Sequence, residues 1–244
     1  MYSSLSDYSS FTNPRKEHFE SEKIINLIIY NPDVEYERDM KRVLEKYLAT
    51  QIHVKSYFIT LREQSEPVKI EKNVMYIQGK ESFMPGILHK TVKAMEYCLS
   101  HHEFDYMIRS NISTILDFSK MKADGITSQY AGCRVFKLQW LDPKFGIHDK
   151  SLWGTRYLQG THMILTQNAV QKLVKEQDNL RYDVIDDVAI GLVLGSPQQY
   201  GNMVSNGESG ATCYRNKTEG ARKEDVERMT HIVERLINTF SNEK

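Results

Sequence analysis

The chain has no excess of either charge: 32 Lys and Arg balance 32 Asp and Glu over 244 residues. A protein that binds nucleic acid or an anionic membrane with its whole surface carries a basic excess, so only local basic sites are expected. Cysteine is scarce. Cys98, Cys133 and Cys213 are odd in number and lack the close spacing of a sequential zinc motif. A disulfide framework and a zinc ribbon are therefore not expected, and a reducing, cytoplasmic compartment is. No apolar run approaches the ~18 residues of a membrane helix. The opening MYSSLSDYSSFTNPRKEHF has no apolar core, so no secretory signal is expected. The familiar nucleotide signatures, Gly-x-Gly-x-x-Gly and Gly-x-x-x-x-Gly-Lys-Ser/Thr, are missing. So are the Gly-x-Ser-x-Gly hydrolase elbow and the His-Glu-x-x-His zinc-protease helix.

What is present is an ordinary globular composition, 40% apolar and 26% charged. Residues 1–22 are polar, Ser-rich and aperiodic, and read as an N-terminal arm without packed structure. Residues 23–244 show no linker and no repeat, so they are expected to form one domain. Residues 24–30 are a β-branched run typical of a strand covered on both faces. A helix follows, with Tyr36, Met40, Val43, Leu44 and Tyr47 on one stripe. Strands are expected at 52–60, 74–78, 104–109, 133–138 and 162–166, and helices at 87–99, 168–176, 186–194 and 224–240. Residues 139–158, with both tryptophans, and 204–220 read as irregular. This alternation of strand and helix predicts an α/β sheet with helices on both faces.

Four segments carry the chemistry. They are Glu81–Thr91 with Leu88-His-Lys90-Thr91, the strand end Arg109-Ser110-Asn111-Ile112-Ser113, Tyr157-Leu-Gln-Gly160, and Asp186-Asp187-Val-Ala-Ile-Gly191. In order and spacing they resemble the beta-1,3-glycosyltransferases of the galactosyltransferase and Fringe type, over about residues 24–220. The compact format is most similar to the enzymes of large DNA viruses and bacteria. The resemblance implies a GT-A-type, Rossmann-like domain with a mixed, mostly parallel sheet. It implies an inverting glycosyltransferase that moves a sugar from a nucleoside-diphosphate sugar, a UDP-sugar first among them, to a hydroxyl of a glycan or glycoconjugate. Asp187 falls at the position of the general base, with Asp186 beside it. The rival reading is a catalytically inactive protein that binds a nucleotide sugar or a carbohydrate.

The match departs from the family at one point. Where the family has the Asp-x-Asp pair that holds Mn2+ or Mg2+, this chain has Asn111 and Ser113, which are polar but uncharged. A metal on those two alone would be weakly held, so cations are expected to neutralise the phosphates instead. Lys90, Arg109 and Arg215 are the candidates. Cys213 stands where the wider fold places a metal-binding His. Tyr30 and Asn31 end the first strand at its carboxyl edge, where open α/β sheets bind ligands, and are expected to frame the nucleotide. Gly160 would allow a close backbone approach. Tyr157, Trp140 and Trp153 are candidate sugar-stacking rings. Gly191 would leave room for the acceptor, and Asp186 and then Asp149 are the reserve bases.

Overall fold

The computed structural model describes residues 23–205, 210–218 and 222–242. The expected arm, residues 1–22, lies outside them. In chain order the elements are β1 (Ile24–Ile29), α1 (Glu35–Leu48), β2 (Val54–Arg62), β3 (Val68–Glu71), β4 (Val74–Gln78), α2 (Gly86–His101), β5 (Tyr106–Asn111) and β6 (Thr114–Leu116). The second half adds β7 (Tyr130–Gly132), β8 (Val135–Lys137), β9 (Arg156–Leu158), β10 (His162–Thr166), α3 (Gln167–Lys175), α4 (Asp186–Leu194), β11 (Gln198–Gln199), β12 (Met203–Ser205), β13 (Cys213–Arg215) and α5 (Arg222–Asn242).

The main sheet has eight strands in the order β11-β7-β10-β5-β1-β2-β4-β3. Four neighbour pairs are parallel and three antiparallel. The expected α/β class and mixed sheet are thus present. Strand β1 is central and completely buried because both its faces are covered. Ile25, Leu27 and Ile29 pack on one side with α2, α3 and α4, and Ile24, Ile28 and Tyr30 on the other with α1 and α5. Burying each such side chain contributes about 1.5–3 kcal/mol, so the continuous apolar run is what commits this segment to the sheet centre. The same alternation runs through β5. Met107 joins the first core and Ile108 the second, so Arg109 points toward the α4 side. That parity places the one charge of β5 beside the start of α4.

Two small sheets complete the fold, β12-β13-β6 and β8-β9. Here the structure corrects the sequence reading. Residues 204–220 are not one loop: β13 lies between β12 and β6 at the centre of a sheet. Residues 133–138 shorten to β8, which pairs with β9 and not with the main sheet. The hairpin partner β3 was not expected. It turns into β4 through Lys72, whose φ of 58° is left-handed.

Candidate active site

A cleft of about 230 Å3 opens at the carboxyl end of β5 and the amino end of β6. Its walls include Arg109, Asn111, Ser113, Gly160, Asp186, Asp187 and Arg215. Seven of the candidate residues named from the sequence therefore meet in one place. Tyr30, Asn31 and Lys90 do not line it.

The cleft floor is a network built on Arg109. Its guanidinium donates to Asp186 Oδ2 at 2.5 Å, to Asn111 Oδ1 at 3.0 Å, and to the Gly160 carbonyl. The Arg109 and Asp186 side chains are only 2% and 6% exposed. The other side of the Gly160 residue closes the circuit, its N–H donating to Asp187 Oδ2 at 3.1 Å. Asp187 Oδ1 accepts the N–H of Val188 at 2.8 Å. A Cβ at Gly160 would sit 3.4 Å from Asp187 Oδ2, an ordinary contact. What this position supplies is its own N–H and carbonyl, not the room of a missing side chain.

The two aspartates have separate tasks because their environments differ. Asp186 is the ion-pair partner of Arg109. Among the described residues, Asp187 has no ion-pair partner. Burial, and then the charge of Asp186, raise its pKa to about 7, against the pull of Arg109. A carboxyl poised there can give or take a proton near neutral pH.

The residues outside the cleft have identifiable occupations. Lys90 spends its three donors on Glu81 Oε1 (2.8 Å), Glu81 Oε2 (3.0 Å) and the Tyr30 carbonyl (3.0 Å). Burial lowers its pKa while Glu81 opposes the shift. Glu81 also accepts from Leu61 N–H and Thr60 Oγ1, so the pair ties α2 to β2. Lys90 has no donor left for a phosphate. Tyr30 is buried edge-on against Phe58. Asn31 makes a turn, its Oδ1 accepting from Asp33 N–H. Tyr157 is core, packed on Phe136 and Trp140. A Cβ on Gly191 would come within 2.7 Å of Tyr157 Cβ, so its small size serves the packing of α4 on β9 and opens no acceptor space. Asp149 is exposed and holds the N–H of Ser151.

Two cleft aromatics were missed. Phe83 and Phe145 approach with ring centroids 5.6 Å apart and form an apolar rim with Ile87. Phe83 is 51% exposed, unusual for a phenylalanine unless something covers it. Its signal lay within the Glu81–Thr91 segment, and that of Phe145 within the irregular stretch 139–158. Lys217 adds a second cation near Arg215.

A metal at Asn111 and Ser113 does not fit. The donors are neutral, and Asn111 Oδ1 already accepts from a guanidinium, which repels a cation.

No family model matches the chain, and no curated protein matches it. Among solved structures it is similar to a glycosyltransferase involved in glycosylation of the major capsid of PBCV-1, at 11% identity and a TM-score of 0.48, covering 84% of this chain and 98% of that one. It is also similar to the galactosyltransferase LgtC in complex with donor and acceptor sugar analogs, at 10% identity and TM-score 0.44, covering 87% and 95%. A third is HddC from Yersinia pseudotuberculosis, at 12% identity and TM-score 0.41, covering 84% and 99%. Likenesses this distant assign no activity to the chain.

Proposed function

We propose that the chain is an inverting glycosyltransferase that uses a nucleoside-diphosphate sugar, with Asp187 as general base. The observation that carries this reading is Asp187 itself: a buried carboxyl raised to about 7 in a cleft that also presents Arg215 and Lys217. In the reaction, the acceptor hydroxyl gives its proton to Asp187 while its oxygen attacks the anomeric carbon. The bond from that carbon to the diphosphate breaks, and the diphosphate leaves with the electron pair. Arg215 and Lys217, which line the cleft, balance its charge. Phe83 and Phe145 cover an apolar sugar face. A cleft of 230 Å3 takes the sugar and diphosphate, since sites for whole drug-sized ligands run to about 300–1,000 Å3. The nucleoside then lies along the sheet edge toward Asn31, in the turn that follows β1, the strand next to β5. The test is nucleotide release against a panel of nucleoside-diphosphate sugars, with the anomeric configuration of the product read by NMR. Inversion is expected. Binding without release on every acceptor would favour the inactive binding protein.

Because no carboxylate pair holds a metal at Asn111 and Ser113, turnover should proceed in buffer free of magnesium and manganese. Adding either should change the rate by less than about tenfold, a smaller factor than removal of a single charge-stabilising donor costs. A strict requirement for added manganese would contradict this assignment of phosphate neutralisation to side chains.

The base must be ionised to act, so kcat/KM should fall as pH drops through about 7. Asp186→Asn removes the negative neighbour that raises Asp187 and leaves Arg109, which lowers it. The acid limb should therefore move to lower pH. An unmoved or higher limb would mean that another group sets the profile.

A further inference from the structure

Cys133, His162 and Cys213 are distant in sequence and adjacent in space. Cys133 follows β7, His162 opens β10 and Cys213 opens β13. Their ligand atoms all lie within 4.8 Å of one another, with Cys133 Sγ 3.7 Å from His162 Nε2. All three side chains are buried. Zinc–sulfur bonds of ~2.3 Å and zinc–nitrogen bonds of ~2.0–2.1 Å at tetrahedral angles imply sulfur–nitrogen edges of about 3.6 Å. The Cys133–His162 separation matches that edge.

We propose that Cys133, His162 and Cys213 form a buried Cys2His site for one zinc ion. Two sulfurs and one imidazole make a soft donor set, which suits zinc and rejects magnesium or manganese. The fourth position goes to a ligand from solvent. Thr212 Oγ1, 3.7 Å from Cys133 Sγ, already donates to the Asn202 carbonyl and accepts from the Asn202 N–H. On binding, any protonated thiol gives its proton to solvent and its sulfur lone pair to the metal. The site also has a place in the architecture. It joins the main sheet, through His162 and the end of β7, to the small sheet carrying Arg215 two residues beyond Cys213. Thr161, beside His162, lines the cleft. The ion would thus fix the spacing between two cleft walls without touching substrate.

The test uses the full chain, equilibrated with zinc, freed of loose metal by dialysis and analysed for zinc content. Zinc is then exchanged for cobalt(II) and the absorption spectrum recorded. One zinc per chain is expected, with a thiolate-to-cobalt band in the near ultraviolet and the visible bands of tetrahedral cobalt. Cys133→Ser and Cys213→Ser should each remove about half of the near-ultraviolet band, while Cys98→Ser, in a separate part of the core, should leave it intact. Should the serine variants fail to fold, zinc X-ray absorption on the unaltered protein reads the same donor set. Two sulfurs with lighter ligands support the site. Substoichiometric zinc, a cobalt spectrum without a thiolate band, or a Cys133–Cys213 disulfide under reducing conditions would overturn it.

Discussion

Asp187→Asn should abolish most turnover and, at pH 8, make the protein more stable. An amide cannot take the acceptor's proton, and loss of a general base costs about 10²–10⁴ in rate. The stability change follows from the raised pKa. Asp187 has an ordinary value of 3.8 and about 7 in the folded chain, so the native state holds the proton more tightly than the unfolded one. Its contribution is complete below pH 3.8 and is lost as pH rises through 7, at about 1.4 kcal/mol per unit. Wild type therefore carries an ionised, buried carboxylate at pH 8 at a cost of several kcal/mol, and asparagine removes it. The amide offers one acceptor where the carboxyl offers two, so either the Gly160 or the Val188 N–H loses its partner, costing about 1–3 kcal/mol. At pH 5 the two effects nearly cancel; at pH 8 the gain dominates. Thermal melts at both values should show the variant's advantage growing with pH. Parallel melting profiles for the two proteins would mean that Asp187 is not the strained group.

Arg109→Met should be the most destabilising single change in the cleft. It leaves the Asp186 carboxylate buried without its cation, and breaking such a pair costs about 3–5 kcal/mol. Asn111 Oδ1 and the Gly160 carbonyl lose a donor at the same time. Arg109→Lys should fail as well, because one ammonium cannot reproduce the fork that serves three acceptors. The control is the double change Arg109→Met with Asp186→Leu. It removes both charges and should recover part of the loss, though not the part due to Asn111 and Gly160. Urea midpoints for the singles and the double give the coupling energy. A single variant within about 1 kcal/mol of wild type would show that water reaches the pair and screens it.

Much of this was legible in the chain. The run at 24–29 has no polar face except Asn26, and only a central strand buries such a segment. The amphipathic stripe of α1 put Met40, Val43, Leu44 and Tyr47 inward. The short strands β6, β7 and β13 were invisible, because three residues hold too little alternation to signal a sheet. In the site, types and order were legible but partners were not. Lys90 reads as a phosphate ligand until Glu81 is found against it, nine residues earlier and across a turn. Residue type alone does not say which of Asp186 and Asp187 is paired; the parity of β5 turns Arg109 toward Asp186. Cys133 and Cys213 lack the close spacing of a zinc motif along the chain, whereas strand order brings them together with His162.

The central claim is that this cleft binds the diphosphate end of a nucleotide sugar. Calorimetric titration of a nucleoside-diphosphate-sugar panel into wild type, Arg215→Ala and Asp187→Asn tests it most directly. The account predicts that at least one donor binds wild type, that Asp187→Asn retains that affinity, and that Arg215→Ala loses tenfold or more, about 1.4 kcal/mol. Failure of every donor to bind, or binding that Arg215→Ala leaves unchanged, would contradict it.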